Sequence, residues 1–234
     1  MAKKKRMSAS PVKTALEDLL KARRLQAEGP PLRGERRVSP LPTGIGPLDD
    51  LVGGGFPRGQ VSEVHGPASS GRTAVAQAAV ARAQRRGALA AWVDPDDRFD
   101  PASAVEAGID LARLLWLRRA PLGPAVSASG TVLGSGLFEL VVLDLAGQPP
   151  SAPARLPHTT WLRLQRGVEN LPVALLLLAH SHVAHGPAGV SLALAPGQGV
   201  WSGRGPGRLL TGVSGGGRWG RRLEPARFEL QAFA

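Results

Sequence analysis

The chain has 234 residues, a length suited to one α/β domain with extensions, and a formal net charge of +11. It has no cysteine, which excludes disulfides and thiol chemistry and makes a reducing cytoplasm the expected compartment. No apolar run approaches the ~18 residues of a membrane helix, and the basic start at Lys3, Lys4, Lys5 and Arg6 lacks the apolar segment of a secretory signal.

The charge is unevenly placed. Residues 1–40 carry 11 Lys and Arg against 4 acids, residues 41–200 carry 12 against 12, and residues 201–234 carry 6 against 2. A neutral centre between two basic ends suits a polyanion or an acidic partner met by the extensions. A solvated basic tail gives the same count.

In chain order, residues 12–28 place Val12, Ala15, Leu16, Leu19, Leu20 and Leu25 at helical spacing with Lys and Arg opposite. The spacing predicts an amphipathic helix closed by Gly29-Pro30-Pro31, its apolar stripe covering either its own core or another subunit. A Pro- and Arg-rich linker follows, so residues 1–40 form a basic helix-and-linker region, residues 41–200 the core, and residues 201–234 a basic β extension. A helical turn is expected at residues 47–52, then tight turns at Gly53-Gly54-Gly55 and Pro57-Arg58-Gly59.

Residues 60–65 read as a strand and residues 74–86 as a helix. Between them lies Gly66-Pro67-Ala68-Ser69-Ser70-Gly71-Arg72-Thr73, one residue from the phosphate-binding pattern G-x-x-x-x-G-K-[ST]. Glycines let the backbone wrap an anion, and a helix N-terminus aims N–H groups and partial positive charge at it. Thr73 keeps the hydroxyl that would face a magnesium ion. Arg72 stands in place of Lys, and the exchange is not conservative. A P-loop Lys is a compact charge on a thin stem that reaches the outer phosphates, whereas the guanidinium is planar, wider and forked. The loop is therefore expected to hold ATP and magnesium with weak or no hydrolysis, if it holds them at all. All five lysines lie at or before Lys21, so Arg72 also fits a general drift of composition.

A second strand at residues 88–93 ends in Asp94-Pro95-Asp96-Asp97. Residues past strand ends face the ligand crevice of a parallel sheet, so Asp96 or Asp97 would position a water, or else the loop caps the next helix at residues 101–107. A short strand follows at residues 111–117, then a Pro-, Ser- and Gly-rich loop at 121–136 with a helical turn or two at 127–133. The apolar run 138–143 delivers Asp144, either a carboxylate facing the metal or a strand-end cap. A Pro-rich loop at 147–157, a helix at 160–169 and an apolar strand at 173–179 lead to His180, Ser181, His182 and His185. With no Cys or carboxylate beside them in sequence, these histidines argue against zinc, and His180 becomes a ligand-sensing group at a strand end.

Segments with β character then alternate with breaks at Gly215-Gly216-Gly217 and Gly220. Arg204, Arg208, Arg218, Arg221, Arg222 and Arg227, with Trp201 and Trp219 among them, suit phosphate contact with base stacking. An Arg-rich edge that deters strand pairing is the alternative.

The runs Thr43-Gly44-Ile45-Gly46-Pro47-Leu48-Asp49, Gly53 to Gly59 and Glu63 to Gly71 together resemble the start of the RecA recombinase core. So do Ala90 to Asp94, Asp100-Pro101 and Ala107-Gly108-Ile109-Asp110 before Leu114-Leu115, and the likeness runs in order over about residues 40–180. It implies a RecA-like core with a mostly parallel, twisted sheet flanked by helices, preceded by an N-terminal helix and followed by antiparallel strands. By the same resemblance Gly66 to Thr73 is the phosphate loop, Asp144 the metal-side Asp, Asp96 the position of the catalytic Glu, and His180 that of the Gln sensing the γ-phosphate. Arg72, Asp96 and His180 all depart from the family residue, and misplacing a catalytic group by about 1 Å can cost on the order of a hundredfold. The altered site and short basic tail are similar to the ImuA group of RecA-like accessory proteins. That likeness implies a non-catalytic role in SOS-type mutagenesis and translesion synthesis, with an ImuB-like polymerase-related protein as partner and RecA or single-stranded DNA as further ones. A DNA-dependent ATPase with a variant phosphate loop and a plain DNA-binding module are the rival readings.

Overall fold

The computed structural model describes residues 11–26, 39–184, 189–205, 208–219 and 226–231. Lys3, Lys4, Lys5, Arg6, His185, Arg221 and Arg222 lie outside the described residues.

The elements in chain order are α1 (Pro11–Gln26), α2 (Gly46–Leu51), β1 (Val61–His65), α3 (Arg72–Gln84), β2 (Ala90–Asp94), α4 (Pro101–Glu106), a 3-10 turn (Leu111–Arg113) and β3 (Leu114–Arg118). They continue with α5 (Leu122–Ser135), β4 (Leu140–Asp144), α6 (Ser151–Ala154), α7 (His158–Val168), β5 (Ala174–Ala179), β6 (Ser191–Leu194), β7 (Gln198–Ser202), β8 (Leu209–Trp219) and β9 (Ala226–Gln231). One sheet runs β3-β2-β4-β5-β1-β6-β8-β7, with β9 also on β8. Pairings from β3 through β6 are parallel, and those of β8 with β6, β7 and β9 are antiparallel. This is the mostly parallel, helix-flanked architecture that the motifs imply.

Alternation along the strands divides the core in two. Val64, Trp92, Val142, Leu176 and Leu178 face α2 and α3, where Ala76, Ala79 and Ala83 bring the helix close to the sheet. Val61, Val93, Val141, Leu143, Leu175 and Leu177 face α5, α7 and Leu20 of α1. Central strands buried on both faces read as continuous apolar runs, which is why β4 and β5 stand out in sequence.

Three local expectations change. Residues 121–136 are not a loop with a turn or two: α5 has 14 residues, with Ala125, Val126, Ser129, Val132 and Leu133 buried. The apolar spacing lies against the sheet and overrides the poor helix propensity of Ser and Gly, while Gly136 closes the helix in the left-handed region (φ +68°). Residues 151–154 of the Pro-rich loop form the single turn α6. Gly215, Gly216 and Gly217 do not break the chain but lie inside β8; a Cβ on Gly217 would sit 3.1 Å from Leu192 and 3.2 Å from Leu194. Glycine there lets β8 continue past the side chains of β6. Among the described residues no helix is long and apolar enough to cross a membrane.

Candidate functional site

Parallel strands place their carboxyl ends on one rim, so His65, Asp94, Asp144 and Ala179 converge there although they lie far apart in sequence. The phosphate-like loop connects β1 to α3 on that rim. Two of its residues adopt left-handed backbone, Ser69 (φ +59°) and Gly71 (φ +88°), giving the tight turn that aims the first N–H groups of α3 at the rim. Gly66 is required by space: a Cβ would lie 2.4 Å from the Leu194 carbonyl oxygen of β6. Ser69 ties the loop to the antiparallel wing formed by β7, β8 and β9 through its carbonyl, which accepts from Gly197 N–H just before β7 at 3.2 Å. Pro67, Ala68, Ser69 and Thr73 are exposed, whereas Ser70 is buried and its hydroxyl has no partner.

Arg72 does not face the loop's concavity. It is buried, and its Nη1 donates to the Ala179 carbonyl at 2.5 Å, an oxygen that also accepts from Gly66 N–H at 3.3 Å. Burial lowers its pKa from the ordinary arginine value; Asp144 opposes this and Arg98 adds to it. The cation is thus spent joining the start of α3 to the end of β5. The left-handed turn and the unpartnered, buried Ser70 hydroxyl are consistent with an anion site, but no side chain in this arrangement plays the part of the phosphate-binding Lys.

Asp144 ends β4 buried, with Oδ1 accepting from Ala146 N–H at 2.9 Å. Burial pushes its carboxyl up to about 6; the Ala146 hydrogen bond and Arg72 oppose the shift, and the carboxylate of Asp94 reinforces it. Asp94 is committed elsewhere, accepting from Phe99 N–H at 2.8 Å and Trp116 Nε1 at 3.3 Å.

Asp96 accepts from Gln148 Nε2 at 2.5 Å through Oδ1, and its Oδ2 is buried without a partner. Gly147 lies over it, where a Cβ would come within 2.6 Å of that oxygen and of Arg98 Cδ. Neither Gln148 nor Gly147 is evident in the sequence as part of a site. The alternative role for Asp97 is corrected: Arg118 and Arg119 grip its carboxylate at 2.5 Å each, and the hydrogen bond from Arg118 foremost pulls its pKa down to about 2. A carboxylate so stabilised is a poor base. Asp97 does not cap α4 either, because Asp100 does so by accepting from Ala102 and Ser103 N–H.

His180 follows β5 directly and is half-buried. Among the described residues no group of three or more metal-ligating side chains occurs. The reading that no carboxylate accompanies the histidines is corrected by the fold: Glu63 of β1 contacts His182 Nδ1 at 2.6 Å across 119 residues of sequence. In the wing, Arg204, Arg208 and Arg218 are exposed, and the Arg208 guanidinium stacks 4.8 Å from the centroid of Trp201, itself 48% exposed.

Comparison with known proteins gives one coherent picture. Residues 31–152 match the RecA N-terminal domain family. The chain is 39% identical to Protein RecA of Lactobacillus acidophilus over 113 residues, 48% of this chain and 31% of that protein. It is 36% identical to Protein RecA of Picosynechococcus sp. over 110 residues (47% and 32%), and 43% identical to that of Chlorobaculum parvum over 108 residues (46% and 31%). The matched region is thus about a third of the length of these curated relatives.

Proposed function

Given that the chain belongs to the RecA N-terminal domain family, we propose that it is a RecA-like accessory protein of DNA repair that has given up nucleotide turnover. In this reading it acts in the bacterial cytoplasm in an SOS-type damage response. It assists error-prone translesion synthesis in the manner of the ImuA group, docking on an ImuB-like polymerase-related partner and meeting RecA or DNA through its basic ends. The observation that carries the reading is the Arg72–Ala179 hydrogen bond, which buries the one cation of the phosphate loop against the sheet. Transition-state charge on a transferred phosphoryl group needs a cation aimed at it, and this one is aimed at a carbonyl.

If ATP and magnesium bind, the backbone of Gly66 to Thr73 holds the phosphates, and Thr73 and Asp144 are the residues to face the metal. The metal would supply charge neutralisation there. The deciding experiment measures phosphate release with and without single-stranded DNA, alongside co-purification with an ImuB-like protein. A stoichiometric complex without DNA-stimulated release is expected. Turnover that vanishes in Arg72→Ala would overturn the proposal in favour of a DNA-dependent ATPase. The Arg208–Trp201 stack favours a second reading, a DNA-binding module, for which affinity should fall steeply with salt.

A further inference from the structure

On the sheet face opposite Arg72's helix lies a polar cluster that the reading above does not use. Glu63 is fully buried among the apolar side chains of β1 and β5. Both of its oxygens are engaged, Oε2 with His182 Nδ1 at 2.6 Å and Oε1 with the Val183 N–H at 2.7 Å. Ser191, the register partner of Glu63 on β6, brings its hydroxyl to 3.3 Å from His65 Nε2 and 3.4 Å from His182 Nδ1. The two imidazoles lie 5.9 Å apart between centroids.

A serine, a histidine and a buried carboxylate invite comparison with a hydrolytic triad. The geometry rejects it: Nδ1 of His182 faces both the carboxylate and the hydroxyl, whereas a triad uses opposite ring nitrogens for the two. What remains is a clamp. A buried carboxylate is costly unless paired and hydrogen-bonded, and here its partners all come from the segment that follows β5. That segment is fastened by Glu63 and by the burial of Val183 and Ala184.

We propose that Glu63, His182 and His65 form a proton-operated latch that holds residues 180–184 against the strand leading into the phosphate loop, closed at neutral pH and released by acid. The charged groups facing His65 are Glu63 on β1, His182 from the segment after β5 and Arg72 from α3. Burial first, then His182 and Arg72, hold His65 below its ordinary value of 6.5, with Glu63 opposing. The closed form therefore prefers neutral His65, and the released form binds the proton more tightly. Closure is complete above pH 6.5 and weakens as the pH falls from there towards the lowered value. His65 is tied to the clamp by the Ser191 hydroxyl, which lies between its Nε2 and His182 Nδ1, and by the ring of His182. The latch stands whether or not a nucleotide is bound, so its failure and that of the accessory reading are separate results.

The test is amide hydrogen exchange of the full chain at about pH 7.5 and about pH 5.5, corrected for intrinsic exchange chemistry. Residues 180–184 should open more at the lower pH while β4 stays unchanged. His65→Gln, which keeps a polar contact for Ser191 but cannot take up the proton, should abolish the response. Since Glu63→Gln alters a fully buried site, His182→Gln at the more exposed end is the second variant, and it should open the segment at both pH values. Equal protection at both pH values in the unaltered chain, an unchanged response in His65→Gln, or intact protection in His182→Gln would each overturn the latch.

Discussion

At Arg72 the side chain at one position decides where the cation of the phosphate loop points. The ammonium of a lysine is a compact charge on a thin stem; the guanidinium is wide, planar and weakly hydrated enough to be buried. Here it reaches back to the Ala179 carbonyl and leaves the backbone cradle without its cation. Arg72→Lys should therefore raise affinity for a fluorescent nucleotide by about tenfold, the scale of one charged contact made or lost. Arg72→Ala should lower stability by about 1.5–3 kcal/mol, because a hydrogen bond to a charged donor disappears, as denaturant unfolding would show.

Asp144 makes the complementary prediction. Its pKa is raised in the folded protein from 3.8 to about 6 by burial, so the native state favours the protonated form. The sign follows directly: this contribution is fully present below pH 3.8 and is lost as pH rises through about 6. A shift of this size corresponds to about 3 kcal/mol. Asp144→Asn should remove that loss, making the variant more stable than the parent above pH 6 but not near pH 4, as unfolding at the two pH values would reveal.

At the scale of elements, what matters is where backbone and helix meet the sheet. Gly55 has φ +129°, and a Cβ there would lie 2.1 Å from the Leu41 carbonyl oxygen, inside the bridge that pairs Leu41 with Phe56. Backbone cannot move aside as a flexible side chain can. Gly55→Ala should cost about 3 kcal/mol or more, with a matching fall in melting temperature. The α1 helix is a different case, since its Leu20 is buried beside α5 while its Leu19 is 48% exposed. The apolar stripe thus finds part of its cover within its own chain. Leu20→Ala should cost about 2–4 kcal/mol if α1 is an integral part of the folded unit, and protease digestion should then cut first within α1.

For the molecule as a whole, the antiparallel wing is joined to the parallel core by ladder hydrogen bonds, because β6 pairs with β1 on one side and β8 on the other. Deleting residues 201–234 would strip β6 of its neighbour and should lower the melting temperature. Loss of partner binding after such a truncation would then not identify a docking surface. Replacing Arg204, Arg208 and Arg218 by Gln is the cleaner experiment. These exposed side chains should change stability by no more than about 0.5 kcal/mol each. Any polyanion affinity should drop, and its salt dependence should become shallower.

Sequence alone determined most of the strands and helices of the core, the phosphate-loop turn, the place of Asp144 at the end of an apolar strand and the departure at Arg72. Each depends on local chemistry: glycine spacing, apolar runs buried on both faces, and a basic residue at one fixed step after Gly71. The α5 helix stayed hidden because Ser and Gly are weak helix formers, and only the sheet beneath supplies the burial that holds it. Only the tertiary structure decided which way Arg72 points, that Asp97 is held by Arg118 and Arg119, and that Glu63 meets His182 across 119 residues. Those outcomes depend on burial and on partners brought in from distant strands, and neither is written in the spacing of neighbours along the chain.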